Sequence, residues 1–407
     1  MSEANIKDLP VKQSKLADSD AIQFEEAYAT KHNDTSVTCR ALDSVIFYGE
    51  SSEVNAVGHH DYNDFLKLTR SKQILTGFDP QYHDFVDYIM KITHQIWEEK
   101  GIGIIYDTYH NNVTMHLGSF NLSGIQSVIS GTLQTLHAFP DRRLIGQNVI
   151  WSRHGENGYL SSHRILSTAT NLNDSSFGPA TGKRISFRTT VDCAAENNRI
   201  YEEWLVRDNL WIVRQLGYDP HEVARRMAKQ SVASGLHVTH FGLDENMRGQ
   251  IMPEKYVARD HDIGEWVLQA MSEMYQCRLF NKVTHYYNEN AVVHYICDKD
   301  LTGHLQIQGM FIHFFASFPN ANFSVERVTC NEGIERETYD IAVRWRLSGI
   351  HEGYGYFGKP SFKPVEILGI THFSIVERKI VEEWVTFDAL DVLKQTYAGE
   401  FEREDQQ

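Results

Sequence analysis

The sequence predicts an α+β protein in which one domain is written twice. Two observations carry this expectation. The first is a recurring phrase: "RIYEEWLVRD" (Arg199 to Asp208) returns as "KIVEEWVTFD" (Lys379 to Asp388), with isoleucine, Glu-Glu-Trp and aspartate in register. The second is a series of collinear matches at offsets of 178 to 180 residues. "YHNNVTMH" matches "YNENAVVH", "LSG" matches "LTG", and "FPD" matches "FPN". Arg164 matches Arg344, and Phe177-Gly178 matches Phe357-Gly358. Repeats shorter and more numerous than these would indicate a solenoid; two long ones indicate a duplicated domain.

Within a copy the elements follow in order. "DFVDYIMKITHQIWEEK" (Asp84 to Lys100) spaces its apolar residues as a helix does, with Asp84 placed to cap it. A second helical stretch runs through "IIYDTYH", a short strand reaches His116, and "SGIQSVISGTLQTLHAF" reads as helix. Strand-like segments follow around Arg143 to Trp151, Tyr159 to Thr168, Arg184 to Ala194 and Arg199 to Val206, parted by Gly, Asn and Asp. A last helix, "DNLWIVRQLG", ends in Gly217. Helices first and antiparallel strands afterwards place the helices on one face of a curved sheet. The expected boundaries are an extension over 1–80, domains over 81–218 and 262–400, a linker with a short helix over 219–261, and an acidic tail over 401–407.

Composition removes several functions. A net charge of −15 argues against a nucleic-acid or anionic-membrane partner. No apolar run of spanning length occurs, and the polar N-terminus carries no secretory apolar core. Five scattered cysteines without a C-x-x-C pair read as free thiols in a reducing cytoplasm. "GPATGKR" lacks the spacing and the Ser or Thr of a phosphate-binding loop. "HVTH" (His237 to His240) and His59-His60 have no carboxylate or cysteine at ligand spacing, so no metal is expected.

The run of features in each copy resembles a known family. A tyrosine, a strand histidine, a glycine at a helix start, Phe-Pro-Asp, an arginine-bearing strand, a "PxTGK" turn and the Glu-x-Trp-x-x-x-Asp phrase follow one another. That order is similar to the SnoaL-like polyketide cyclase branch of the nuclear transport factor 2-like superfamily. The resemblance covers both copies, about two thirds of the chain. It implies two tandem cones, each a bent, mostly antiparallel sheet wrapped by helices around an apolar cavity. It implies cofactor-free proton chemistry of the cyclase, isomerase or hydro-lyase kind on a small oxygenated molecule. The alternative is a ligand-binding or scaffold protein using the same cone. Cones of this kind associate through the outer faces of their sheets, so a fused pair would form an intramolecular pseudo-dimer, or a homodimer of such units.

Candidate residues follow from position. Asp208 and Asp388 end the repeated phrase, where the resemblance implies an acid/base aspartate; each also precedes a helix that it can cap. His116 and His294 end equivalent strands and would relay protons at the cavity mouth, unless they are core histidines bonded to backbone. Glu202 and Trp204 share one strand face, as do Glu382 and Trp384, and the tryptophan is expected to face inward. Arg164 and Arg344 suit an anionic group or a pairing with rim acids. Tyr109 and Tyr287 suit packing or hydrogen-bond donation. His351, in "SGIHEG", resembles a turn of the family that reads "STATNL" in the first copy, while "GPATGK" reads "GKPSFK" in the second. The two copies thus depart from the pattern in different places.

Overall fold

Two sheets carry the fold, and the computed structural model describes residues 45–49, 60–235, 255–259 and 262–401. A short strand, β1 (Ile46–Tyr48), comes first. The first half supplies β2 (Tyr109–Leu117), β3 (Phe120–Ser123), β4 (Arg143–His154), β5 (Gly158–Thr170), β6 (Arg184–Glu196) and β7 (Arg199–Arg207). The second half supplies β8 (Tyr287–Tyr295), β9 (Lys299–Thr302), β10 (Asn322–Glu332), β11 (Thr338–Ile350), β12 (Pro364–Val376) and β13 (Lys379–Phe387). The strand orders are β3-β2-β7-β6-β5-β4 and β1-β10-β11-β12-β13-β8-β9. Apart from β1 the two sheets have the same order, as the sequence matches require. β1, from the segment before the first half, pairs in parallel with β10 of the second. His60 bridges to Gly146 of the first.

The helices are α1 (Phe85–Trp97), α2 (Ile125–Ala138), α3 (Asn209–Leu216), α4 (Pro220–Ala233), α5 (Ile263–Met271), α6 (Gly303–Ser317) and α7 (Ala389–Phe401). α1 begins where the Asp84 carboxylate accepts the Asp87 N–H, and it buries Phe85, Ile89, Ile92 and Ile96 along one stripe. α3 stops at Gly217, whose φ of 85° only glycine adopts without strain. "IIYDTYH" is one helical turn, Ile105–Thr108, running directly into β2. Bulges at Gly146/Asn148 and Ala194/Ala195 in the first sheet, and at Val325/Arg327 and Ser374/Ile375 in the second, bend the long strands. The helices cover the inner face of each bend. No helix among the described residues is long and apolar enough to cross a membrane.

Both sheets belong to one compact unit, Val45–Gln407, and their outer faces meet. Leu160, Ala194, Trp204 and Val206 of the first sheet pack on Leu368 and Ile370 of the second. The Arg344 guanidinium lies 3.5 Å from the centre of the Trp204 ring, and Arg164 lies 3.5 Å from that of Trp384. A buried ion cluster joins the halves: Asp192 accepts from Arg327 Nη2 at 2.9 Å and Arg344 Nη1 at 3.2 Å. Ser162 Oγ and His372 Nε2 are 2.8 Å apart, and Thr190 and Thr386 bond through their hydroxyls at 3.1 Å.

Candidate functional site

The inner faces of the two sheets differ. Beneath α1 and α2 the first half encloses a cavity of about 300 Å³, at the lower end of the range for small-molecule sites. The cavity described at the corresponding place in the second half is about 10 Å³, bounded by Tyr275, Tyr295, Phe311, Phe314, Trp345 and Phe387. The sequence offsets explain the difference. α2 faces its cavity with Gly131, Thr132 and Thr135, and α6 carries Met310, Phe311 and Phe314 at the corresponding positions. On the sheet, Ile165, Cys193 and Arg207 correspond to Trp345, Phe373 and Phe387. Small and polar groups leave the first cavity open, whereas aromatic rings fill the second.

The cavity's polar groups come from alternate residues of the sheet floor. β7 contributes Glu203, Leu205 and Arg207, β5 contributes His163 and Ile165, and β6 contributes Val191 and Cys193. Glu203 is 4% exposed, and burial pushes its carboxyl up to about 7 against the opposing pull of the Tyr109 hydrogen bond. Tyr109 donates to Glu203 Oε2 at 2.8 Å. The other oxygen, Oε1, has no hydrogen bond among the described residues, and Glu203 lines the cavity. In the second half Glu383 is held at both oxygens, by Tyr287 at 2.6 Å and Tyr275 at 3.3 Å. Trp97 stands where Tyr275 would be, so the first half lacks the second donor. His163 is buried with Nε2 unbonded; burial, then the Arg164 charge, lowers it to about 3 and keeps the ring neutral.

Glu383 is likewise raised to about 7 by burial. A carboxyl raised in the folded state favours folding with its proton on, so stability is fullest below about 4.5 and falls as pH rises through about 7. The Tm difference between pH 5 and pH 8 is therefore expected to shrink in Glu383→Gln; an unchanged difference would show that Glu383 does not titrate in that window.

The sheet register reverses the expected faces of the repeated phrase. Trp204 and Trp384 face the other sheet, each under an arginine, because that contact desolvates an indole as well as a cavity does. Glu202 shares the face of Trp204 and pairs with His116 Nε2 at 2.9 Å; Glu382 is exposed. His116 stacks on Trp204 at 4.9 Å and His294 on Trp384 at 5.1 Å, so neither histidine lies at a cavity mouth. Arg164 and Arg344 serve the same sheet contact and bind no cavity group. His351 is a core histidine, 1% exposed, with Nδ1 at 3.2 Å from Ser361 Oγ. Tyr109 lines the cavity, whereas Tyr287 is closed over by Tyr275 and its neighbours.

The two aspartates act as caps and as clasps between the halves. Asp208 accepts the Trp211 N–H at 3.1 Å through Oδ1 and the Cys297 N–H at 2.5 Å through Oδ2. It lies outside the cavity, and burial raises it to about 6. Asp208→Ala should lose about 1–2 kcal/mol of stability, measured by urea unfolding; an unchanged midpoint would deny the cap. Asp388 caps α7 through the Leu390 and Asp391 N–H groups and accepts from Asn209 Nδ2 at 2.5 Å. It lines the cavity of the first half, not of its own, and burial and the neighbouring Asp391 raise its pKa. Asp391 accepts the Ser119 N–H and hydroxyl, each at 3.0 Å, and also binds Lys394. Gly118 is required beside it, because a Cβ there would sit 2.8 Å from Asp391 Oδ2. α7 of the second half thus closes one end of the first half's cavity.

Among the described residues no three His, Cys, Asp or Glu side chains group as metal ligands. His59, His237 and His240 lie outside the described residues.

Residues 265–396 match the family model of the SnoaL-like polyketide cyclases. The SnoaL-like match covers the second half; of the open cavity's lining it includes only Asp388, Asp391 and Lys394. No curated protein matches the chain significantly. Among solved structures the chain is similar to a SnoaL-like protein of Jannaschia sp. CCS1, at 20% identity over 34% of this chain and 98% of that one, with a TM-score of 0.29. It is similar to TsrD from Streptomyces laurentii at 17% identity over 32% and 94%, TM-score 0.29. It is also similar to a SnoaL-like polyketide cyclase of Agrobacterium tumefaciens at 18% identity over 32% and 97%, TM-score 0.27.

Proposed function

We propose that both halves are SnoaL-like domains and that the first is a cofactor-independent enzyme of proton transfer. Its chemistry is that of a cyclase, isomerase or hydro-lyase acting on a small oxygenated organic molecule. The supporting observation is Glu203, which lines an apolar cavity with one carboxyl oxygen held by Tyr109 and the other without a described partner. A carboxyl tuned to about 7 both takes and returns a proton near neutrality. As carboxylate it removes a proton from carbon next to a substrate carbonyl. The neutral His163 ring lines the same floor two strands away, roughly 10–12 Å across. The second half, filled by its aromatic residues, serves as support and closes the cavity with α7.

Proton exchange tests this without knowledge of the natural substrate. Cyclic ketones incubated in D₂O with the protein should exchange their α-protons, as read by NMR, and Glu203→Gln should stop it. A binding protein using the same cavity would bind such ketones without exchange. Exchange that survives in Glu203→Gln would remove Glu203 from the mechanism.

A further inference from the structure

The cavity has a second polar end that proton transfer at Glu203 does not use. Arg207 follows Glu203 by four residues on β7, about 13 Å between Cα atoms, and lines the same floor. It is partly buried, yet it makes no hydrogen bond or ion pair among the described residues, and its Nε is buried without a partner. Close by, Arg142 is 3% exposed and bonded only to Ser167 Oγ, with Nη1 buried and unpartnered. The two guanidiniums approach one ring, Phe187, at 5.8 Å and 5.4 Å. Asp388 and Glu203 act on Arg207 through their charge but neither bonds to it, so two neighbouring buried guanidiniums keep unfilled donors, which is costly.

The acids at this end are already engaged. Asp388 accepts from the Leu390 and Asp391 N–H groups and from Asn209. Asp391 is held by Ser119, Lys394 and Gln395. Lys394 is correspondingly committed to Asp391, which leaves Arg207 as the cation with donors to spare. The filled half has Phe387 at this position, so the fold does not need an arginine there. A guanidinium offers parallel N–H donors that match a carboxylate.

We infer that the cavity takes an organic anion: an apolar body of about two rings whose carboxylate is bound by Arg207, with its reacting carbon beside Glu203. This rests on the proposed function for the placement of the reacting carbon, but the anion preference can be read by binding alone. The walls between the two ends, Ile92, Ile96, Leu122, Val128, Ile165 and Leu205, suit such a body.

The test compares 2-naphthoate with its neutral analogue 2-naphthamide by calorimetric titration of the full chain. The wild-type protein should bind the acid about tenfold more tightly or better. Arg207→Met should bring the two affinities together, and Arg207→Lys should keep part of the difference. Arg207→Gln gives the same comparison if the methionine variant does not fold. Thr132→Phe with Thr135→Phe, which fills the cavity as α6 fills the other, should abolish binding of both probes. Because both affinities are read without turnover, a failure of the proton-transfer reading is seen separately. Equal affinities in the wild type, no binding of the acid, a preference that survives in folded Arg207→Met, or binding that survives in the filled cavity would each overturn the inference.

Discussion

Asp192→Ala should destabilise the protein by about 3–5 kcal/mol, the range found when one partner of a buried ion pair is removed. Asp192 is 1% exposed, and it is the carboxylate that both Arg327 and Arg344 contact across the sheet-to-sheet boundary. Burial already lowers Arg327 to about 10, a sign that the site tolerates this charge poorly even with its partner present. Without Asp192, Arg344 keeps Glu326, but Arg327 keeps only the Ser161 carbonyl. Urea unfolding should show a lowered midpoint, and since Asp192 faces away from the cavity, ligand binding by the folded fraction should persist. A shift below about 1 kcal/mol, the size expected of an exposed pair, would mean that water reaches the cluster and that the halves are held chiefly by apolar contact.

Glu203→Gln should lower turnover by about 10²–10⁴-fold, the usual contribution of a general acid/base. The amide keeps the shape and can still accept from Tyr109, so the fold should remain and only the proton-transfer capacity should go. Its counterpart Glu383→Gln should leave turnover intact, because its cavity is closed. The pH profile adds an independent reading. With the Glu203 carboxyl at about 7, a base-limited rate should rise through that pH and level off above it. Tyr109→Phe removes the one described donor to the carboxyl, so the midpoint should move upward. A rate unaffected by Glu203→Gln would return the first half to the class of ligand-binding proteins.

Much of this fold is legible in the sequence. The strand segments of the first half, the capping by Asp84 and Asp208, and the stop at Gly217 all follow from local chemistry. The sidedness of the repeated phrase is not. A glutamate pair brackets the choice, since Glu202 and Glu203 differ only in face, and the tryptophan beside them is satisfied equally by a cavity wall or by a second sheet. The sequence marks both faces as needing cover and leaves open which cover each receives. One signal does separate the two cavities. Aligning the halves sets Gly131, Thr132, Thr135 and Arg207 against Met310, Phe311, Phe314 and Phe387, a contrast in volume rather than in catalytic residues. His163 lacked any motif and is visible only because β5 turns it inward.

The clasp formed by Asp391 on Ser119 has a thermodynamic meaning for the pair. The open cavity takes part of its wall from the other half's final helix, so any molecule bound there holds that helix in place as well. Occupancy is then shared information: ligand in one half is felt as melting resistance in the other. The filled domain is no spare part but a reporter of its neighbour's state.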